Sequence, residues 1–220
     1  MLDLFCGAGG AAVGYHRAGF EVVGVDKEPQ PHYPFTFAQM DAFAFVERNG
    51  LEAIRSEFDA IHASPPCPIH SSLNGWSGDS KVPDLIPQTR QLLREAGLPY
   101  VIENVPGAPL ENPTRICGQG LGLRVRRHRL FETSFPLMGI PCHHYEPPVI
   151  VVGGSIGRKV FDPRRKAIAP SLEEAKVVMG MPWAETAREL ANGIPPAYTE
   201  HVGGYLLNAV EAVSGAHGAN

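Results

Sequence analysis

The sequence predicts an α/β fold built on a mostly parallel sheet, and three features of its 220 residues point there. Four short apolar runs, MLDLF, FEVVGVD, FDAIHAS and PYVIEN, have the length and β-branched or aromatic content of buried strands. Helical segments lie between them: AAVGYHRAG, DAFAFVERNGLEAIRSEF and DLIPQTRQLLREAG. The strict alternation of strand and helix over the first 105 residues requires crossover connections, which place helices on both faces of a parallel sheet. That arrangement is Rossmann-like.

Each element follows from its own pattern. In the second helical segment Phe43, Val46, Leu51, Ile54 and Phe58 recur at three- and four-residue spacing, with a break near Gly50. Residues 106–170 are rich in Pro, Gly and Arg, with possible strands at RLFET and PVIVVGG, and read as the end of the sheet plus a small irregular lobe. SLEEAKVVMGM opens with Ser171 and an acid in its first turn, a helix start. ANGIPPAYTEHVGGYLLNAVEAV then carries a loop into a final helix, and residues 214–220 read as a flexible tail. The expected organisation is a main α/β unit from residues 1–131 and 171–213, with residues 132–170 forming the lobe.

Composition narrows the function class. With 44% hydrophobic and 19% charged residues, the chain has the profile of a soluble globular protein. No apolar run reaches the roughly 20 residues that span a bilayer, and no secretion signal is legible, so a cytoplasmic location is expected. Cys6, Cys67, Cys117 and Cys142 are widely spaced, which disfavours a disulfide framework. Net charge is -4, yet residues 115–166 hold ten of the 19 Lys and Arg and three of the 23 acids. A basic sector on an acidic body suits nucleic-acid phosphates, and equally suits a solvated surface.

The motifs follow the order of the sheet. DLFCGAGG ends the first strand and opens the first helix, where glycines allow close backbone approach and the helix N-terminus offers free amides. Asp26 ends the next strand, placed to accept ribose hydroxyls, and Asp41 follows where an adenine amine would lie. Three such features in sheet order favour an adenosine-containing cofactor. SPPC, ending at Cys67, follows the third run, and ENV, beginning at Glu103, ends the fourth. A thiol and a carboxyl on neighbouring strand ends fit attack at carbon 6 of a pyrimidine, with the carboxyl holding the ring edge.

Together these motifs resemble those of the DNA cytosine-5 methyltransferase family over about residues 1–210. DLFCGAGG resembles its cofactor motif, SPPC its nucleophile loop, ENV its glutamate motif, and RRHRLFET its arginine motif, with Arg127 and Arg129 one residue apart. ANGIPPAYTEHVGGYLL resembles the segment that folds back on the cofactor. The resemblance implies an S-adenosylmethionine-dependent methyltransferase fold, catalytic roles for Cys67, Glu103, Arg127 and Arg129, and a base flipped out of duplex DNA. It further implies that Phe5, Gly7, Gly9, Gly10, Asp26, Asp41, Pro65 and Asn192 line the S-adenosylmethionine site. Restriction-modification and a phage or mobile-element source are the biological settings it suggests.

The chain also departs from the family. Pro68 and Ile69 stand where Gln and Phe usually follow the nucleophile, Val125 replaces a Gln, and Ala191 replaces a Gly before Asn192. About 40 residues occupy the place of a sizeable recognition domain, so a short or relaxed recognition sequence, or a partner protein or second copy, is expected. Arg124, Arg126, Arg158, Lys159, Arg164 and Arg165 are the expected phosphate contacts. His70 and Trp76 lie in the loop after the nucleophile, where a plain loop role and a local acid/base or base-closing role compete. Cys142, His143 and His144 with Cys117 upstream lack the two- to four-residue ligand spacing of structural zinc, so no metal is expected. Two other functions stay open: the same chemistry on RNA, and a DNA-binding protein without catalysis.

Overall fold

The computed structural model describes residues 1–66, 83–142, 144, 149–152, 156, 161–162 and 167–217. Its main sheet has seven strands in the order β3-β2-β1-β4-β5-β7-β6. These are β1 (Leu2–Leu4), β2 (Val23–Asp26), β3 (Thr36–Gln39), β4 (Ile61–Ala63), β5 (Tyr100–Asn104), β6 (Thr114–Cys117) and β7 (His128–Thr133). The first five in that order pair in parallel; β7 runs antiparallel to β5, and β6 antiparallel to β7. All four strands expected in the first 105 residues form, and RLFET lies within β7.

Sequence reasoning passed over β3 and β6. TFAQ in β3 is a partly exposed edge strand with no apolar run, and TRIC in β6 has only Ile116 and Cys117 buried. Edge strands of this kind take their structure from the neighbour they pair with, not from a hydrophobic signal of their own.

Helices α1 (Gly10–Arg17), α2 (Ala42–Asn49), α3 (Leu51–Glu57) and α4 (Ile86–Ala96) connect the parallel strands. The break at Gly50 separates α2 from α3, where its φ of 79° suits a residue without a Cβ. One core cluster joins Ala11, Ala12, Tyr15, Val101, Ile116, Phe131, Tyr198 and Val202. Another joins Leu4, Val25, Val46, Ile54, Ile61, Leu93 and Ile102, so apolar packing covers both faces of the sheet.

The C-terminal third contributes α5 (Leu172–Met179), α6 (Ala187–Asn192) and α7 (Pro196–His217). The helix start at Ser171 is a reciprocal capping box with Glu174, and Thr186 and Glu189 form a second one at α6. Helix α7 packs on α1 at very close range: a Cβ on Gly14 would collide with Thr199 Oγ1 and the Pro196 carbonyl. Of the expected flexible tail at 214–220, residues 214–217 are helical, and residues 218–220 lie outside the described residues. Helix α7 continues to His217, with Ser214 Oγ bonded to the Val210 carbonyl at 3.1 Å.

The lobe contains a three-stranded sheet, ordered β8 (Val149–Ile150), β10 (Ala167–Ile168) and β9 (Phe161–Asp162). It is tied to the main body where Val125 bridges Ile150 in parallel. Ile150, Val152, Ala175, Val178 and Met181 form a core of their own with Val125 and Ala8. Among the described residues, no helix is long and apolar enough to cross a membrane.

Candidate active site

In an open parallel sheet, ligands bind beyond the carboxyl ends of the strands where the strand order reverses. Here the chain builds β1, β2 and β3 outward in one direction and β4 and β5 in the other, so the reversal lies between β1 and β4. The glycine turn after β1, the Ser64-Pro65-Pro66 segment after β4 and Glu103 near the end of β5 therefore share one rim.

The glycine turn is held open by backbone geometry. Phe5 adopts φ 58°, an uncommon conformation for a side chain with a Cβ, and Gly7 and Gly9 follow at 51° and 81°. The Gly7 amide donates to Asp26 Oδ2 at 3.0 Å, and the Glu28 amide donates to Asp26 Oδ1 at 2.9 Å. Asp26 thus fixes the turn from the neighbouring strand end. A Cβ on Gly7 would meet no atom within 4 Å, which leaves free space over the turn. Gly9 is the N-cap of α1 and brings no side-chain cap to the amides there. Asp41 caps α2, accepting from the Phe43 and Ala44 amides through Oδ1, and Phe43 meets Phe5 edge-on at 5.8 Å.

The C-terminal segment folds back onto this turn. Trp183 Nε1 donates to the Ala8 carbonyl at 2.7 Å, and Thr199 Oγ1 donates to the Ala11 carbonyl at 2.8 Å. Gly10 lies so close to the Ile194 carbonyl that a Cβ would collide with it, so Gly10 lets the loop between α6 and α7 close onto the turn. Asn192, exposed at the end of α6, is two residues before that contact. Trp183 was not among the expected residues: it lies 175 positions along the chain from Ala8, and no local pattern marks the contact.

Glu103 is buried on β5 and paired with Arg129 on β7, Nε to Oε1 at 2.7 Å, with side-chain exposures of 6% and 12%. The pair is held by charge and not by an aligned hydrogen bond, since Glu103 Oε1 has no hydrogen-bond partner of good geometry. Burial pushes the Glu103 carboxyl above the usual carboxylate range, against the opposing pull of Arg129, the Ser64 hydroxyl and Arg127. A carboxyl so poised can carry a proton to a ring nitrogen or release it.

A buried polar chain runs beneath the pair. Tyr15 Oη lies 2.9 Å from His62 Nδ1, and His62 Nε2 lies 2.8 Å from Ser64 Oγ. Burial lowers the His62 imidazole to a pKa of about 3, so the ring is neutral. We assign the tautomer in which Tyr15 donates to Nδ1 and Nε2–H donates to Ser64, leaving the Ser64 hydroxyl to donate to Glu103. The strand pattern predicted burial at residue 62 but not this network. Asn104 completes the rim: its Nδ2 donates to the Pro65 carbonyl at 2.9 Å and ties the segment leading to residue 67 onto β5.

The two arginines have separate surroundings. Arg127 Nη1 donates to the Val152 carbonyl at 3.1 Å and Nη2 to the Ala191 carbonyl at 2.6 Å, and its own carbonyl accepts from Tyr198 Oη. Burial lowers its pKa to about 9, helped by Arg129 and opposed by Glu103 and Tyr198. Arg127 therefore stitches the lobe and the C-terminal segment to β7, while Arg129 faces the carboxyl. Arg124 is exposed, and Arg126 Nε donates to Gln119 Oε1 at 3.3 Å. Cys67, His70, Trp76, Arg158, Lys159, Arg164 and Arg165 lie outside the described residues. Cys6 is a buried thiol whose pKa burial raises far above the ordinary value, beside Asp3 and Asp26, so it is inert as a nucleophile.

The sequence model of the C-5 cytosine-specific DNA methylases matches residues 1–115. Among curated proteins, the chain is 26% identical over 230 residues to the Type II methyltransferase M.AquIA of Picosynechococcus, covering 90% of this chain and 89% of that one. A prophage-encoded E. coli protein assigned as a DNA modification methyltransferase superposes with a TM-score of 0.60 at 16% identity, over 96% of this chain and 99% of that one. A DNMT2 variant from Spodoptera frugiperda superposes at 0.62 with 12% identity, over 94% and 98%. The two solved structures share the fold.

Proposed function

The chain belongs to the C-5 cytosine-specific DNA methylase family, and on that basis we propose that it methylates carbon 5 of cytosine in DNA from S-adenosylmethionine through a covalent Cys67 adduct. The observation that carries this reading is the buried Glu103–Arg129 pair on the same rim as the Pro65 segment that leads into Cys67, with Asn104 joining the two.

The residues present fit the cofactor. Space over Gly7, the uncapped amides at the start of α1 and the Phe5–Phe43 wall suit a nucleoside with a charged tail. Phe5, Gly7, Gly9, Asp26, Asp41, Pro65 and Asn192 would hold it; Gly10 supports it by letting the C-terminal segment close over the turn. The bound cofactor supplies a methyl group on a positive sulfur, which also favours a nearby thiolate.

The chain's residues act on the base. The Cys67 thiolate bonds to carbon 6 of a cytosine taken out of the stack. Glu103 contacts ring nitrogen 3 and the exocyclic amine, stabilising the charge that develops as carbon 5 becomes nucleophilic. Arg129 fixes the position of Glu103 and balances its charge. After methylation a base removes the carbon-5 proton, the carbon 5–carbon 6 double bond re-forms and the thiolate leaves. Arg124 and Arg126, with Arg158, Lys159, Arg164 and Arg165 of the lobe, supply phosphate contacts along the duplex.

Two measurements test the proposal. Methyl transfer from labelled cofactor is compared on duplex DNA, single-stranded DNA and tRNA, with the products sequenced for position. Duplex DNA is the expected substrate, and preference for tRNA would replace it. DNA carrying 5-fluorocytosine should trap a covalent complex with the wild type and none with Cys67→Ser. Absence of both methylation and adduct on every nucleic acid would overturn the reading.

A further inference from the structure

Folding gathers four metal-binding side chains where β6 ends and β7 begins. Cys117, His128, Cys142 and His144 each offer one ligand atom, and these four atoms all lie within 4.8 Å of one another. Cys117 Sγ is 3.7 Å from His144 Nε2, Cys142 Sγ is 3.4 Å from His128 Nε2, and the two Nε2 atoms are 3.3 Å apart. The two rings meet at 68°.

These separations are the edges of a particular polyhedron. A tetrahedral zinc with sulfur at about 2.3 Å and nitrogen at about 2.0 Å has S···N edges of about 3.5 Å and N···N edges of about 3.3 Å. Two imidazole nitrogens and two sulfurs converging on one point also leave lone pairs aimed at each other, which a shared cation would satisfy. We propose that Cys117, His128, Cys142 and His144 bind one structural zinc ion. Four protein ligands close the coordination sphere, so the ion holds structure and does no chemistry on substrate. Two thiolates balance its charge.

The expectation of no metal rested on spacing along the chain, and the fold supplies the proximity by another route. Cys117 and His128 are direct partners across the antiparallel β6–β7 pair, which puts neighbouring side chains on one face. Cys142 and His144 then come from the stretch that follows the sheet, two residues apart. The ion would pin that stretch to β7 at His128, between Arg127 and Arg129. The cluster stands at the same end of the sheet as the proposed catalytic rim, with His128 next to Arg129, but none of its four ligands is assigned a part in the reaction.

The test uses the full chain purified without chelator from zinc-supplemented medium, with metal measured by plasma mass spectrometry. One zinc per chain is expected, lost in Cys142→Ser and in His144→Ala. Cys142 is half-buried and His144 exposed, so neither change disturbs the core. Circular dichroism checks that both variants fold. Protein stripped and reloaded with cobalt(II) should show tetrahedral ligand-field bands with thiolate charge transfer, and Cys142→Ser should weaken that transfer. Metal content well below one per chain after reloading, or unchanged in both variants, would overturn the site. So would a Cys117–Cys142 disulfide in the protein as purified from zinc-supplemented medium.

Discussion

His62 shows how far one side chain's protonation reaches. It is fully buried, neutral, and bonded on both ring nitrogens, between Tyr15 and Ser64 in a chain that leads on to Glu103. Unfolded, the ring titrates near 6.5; folded, near 3. The unfolded state therefore binds the extra proton first. The stability this group contributes is complete above about pH 6.5 and is lost as pH falls toward 3. Between about pH 7 and pH 5 the loss should reach about 2 kcal/mol. Urea unfolding at both pH values checks it: His62→Gln should show a smaller acid loss than the wild type, and equal losses would refute the assignment. Glu103 works in the opposite sense: burial raises its carboxyl, so keeping it ionised as pH rises costs stability. A site that needs a carboxyl able to hold a proton accepts that cost.

At the scale of elements, α4 and β7 are joined by an ion pair that the charge pattern did not reveal. Arg90 Nε and Nη2 donate to the two Glu132 oxygens, each at 2.7 Å, and Nη2 also reaches the Pro109 carbonyl at 2.9 Å. Glu132 further accepts from the Glu111 amide at 2.7 Å, so it orders the chain between β5 and β6. Removing Glu132 leaves the buried Arg90 guanidinium only a longer ionic contact with the half-exposed Glu111 carboxylate, at 3.4 Å. Glu132→Ala should lower stability by about 3–5 kcal/mol, whereas Arg90→Met with Glu132→Leu should recover much of it. A shift in denaturant midpoint at constant slope is the readout. Arg127, just before β7, and Arg129, within it, are separated by one residue, and the elements each one touches separate their duties. Sequence spacing marked the pair; only the packing of α6 and the lobe against β7 directs Arg127 to the Ala191 and Val152 carbonyls.

For the whole molecule, the basic sector on an otherwise acidic chain becomes a prediction about salt. Arg124 is exposed and Arg126 half-buried beside the lobe. If both neutralise phosphates, Arg124→Ala with Arg126→Ala should reduce the slope of log affinity against log salt by about 1.8, near 0.9 per contact. Filter binding to duplex DNA over a salt series measures it. An unchanged slope would assign these arginines to the solvated surface that composition alone left equally open.

Strand and helix alternation, the glycine turn and the order of SPPC and ENV were legible because they are local: a strand's length, a turn's conformational demand and a motif's spacing are written in neighbouring residues. That was enough for the parallel sheet and for the rim on which Glu103 and the segment before Cys67 stand. The edge strands β3 and β6, the Tyr15–His62–Ser64 chain, the Arg90–Glu132 pair and the Trp183 contact with the turn were not legible. Each depends on residues far apart in the chain, and none leaves a periodic signal. The Cys117–His128–Cys142–His144 cluster belongs with them. Along the chain its spacing argued against a metal, and pairing of two strands made the spacing irrelevant. The sequence by itself determined the fold class and the kind of chemistry, because both follow from local pattern and motif order. Tertiary structure decided which charges meet, which groups lose water and which distant side chains converge, because those depend on burial and distance.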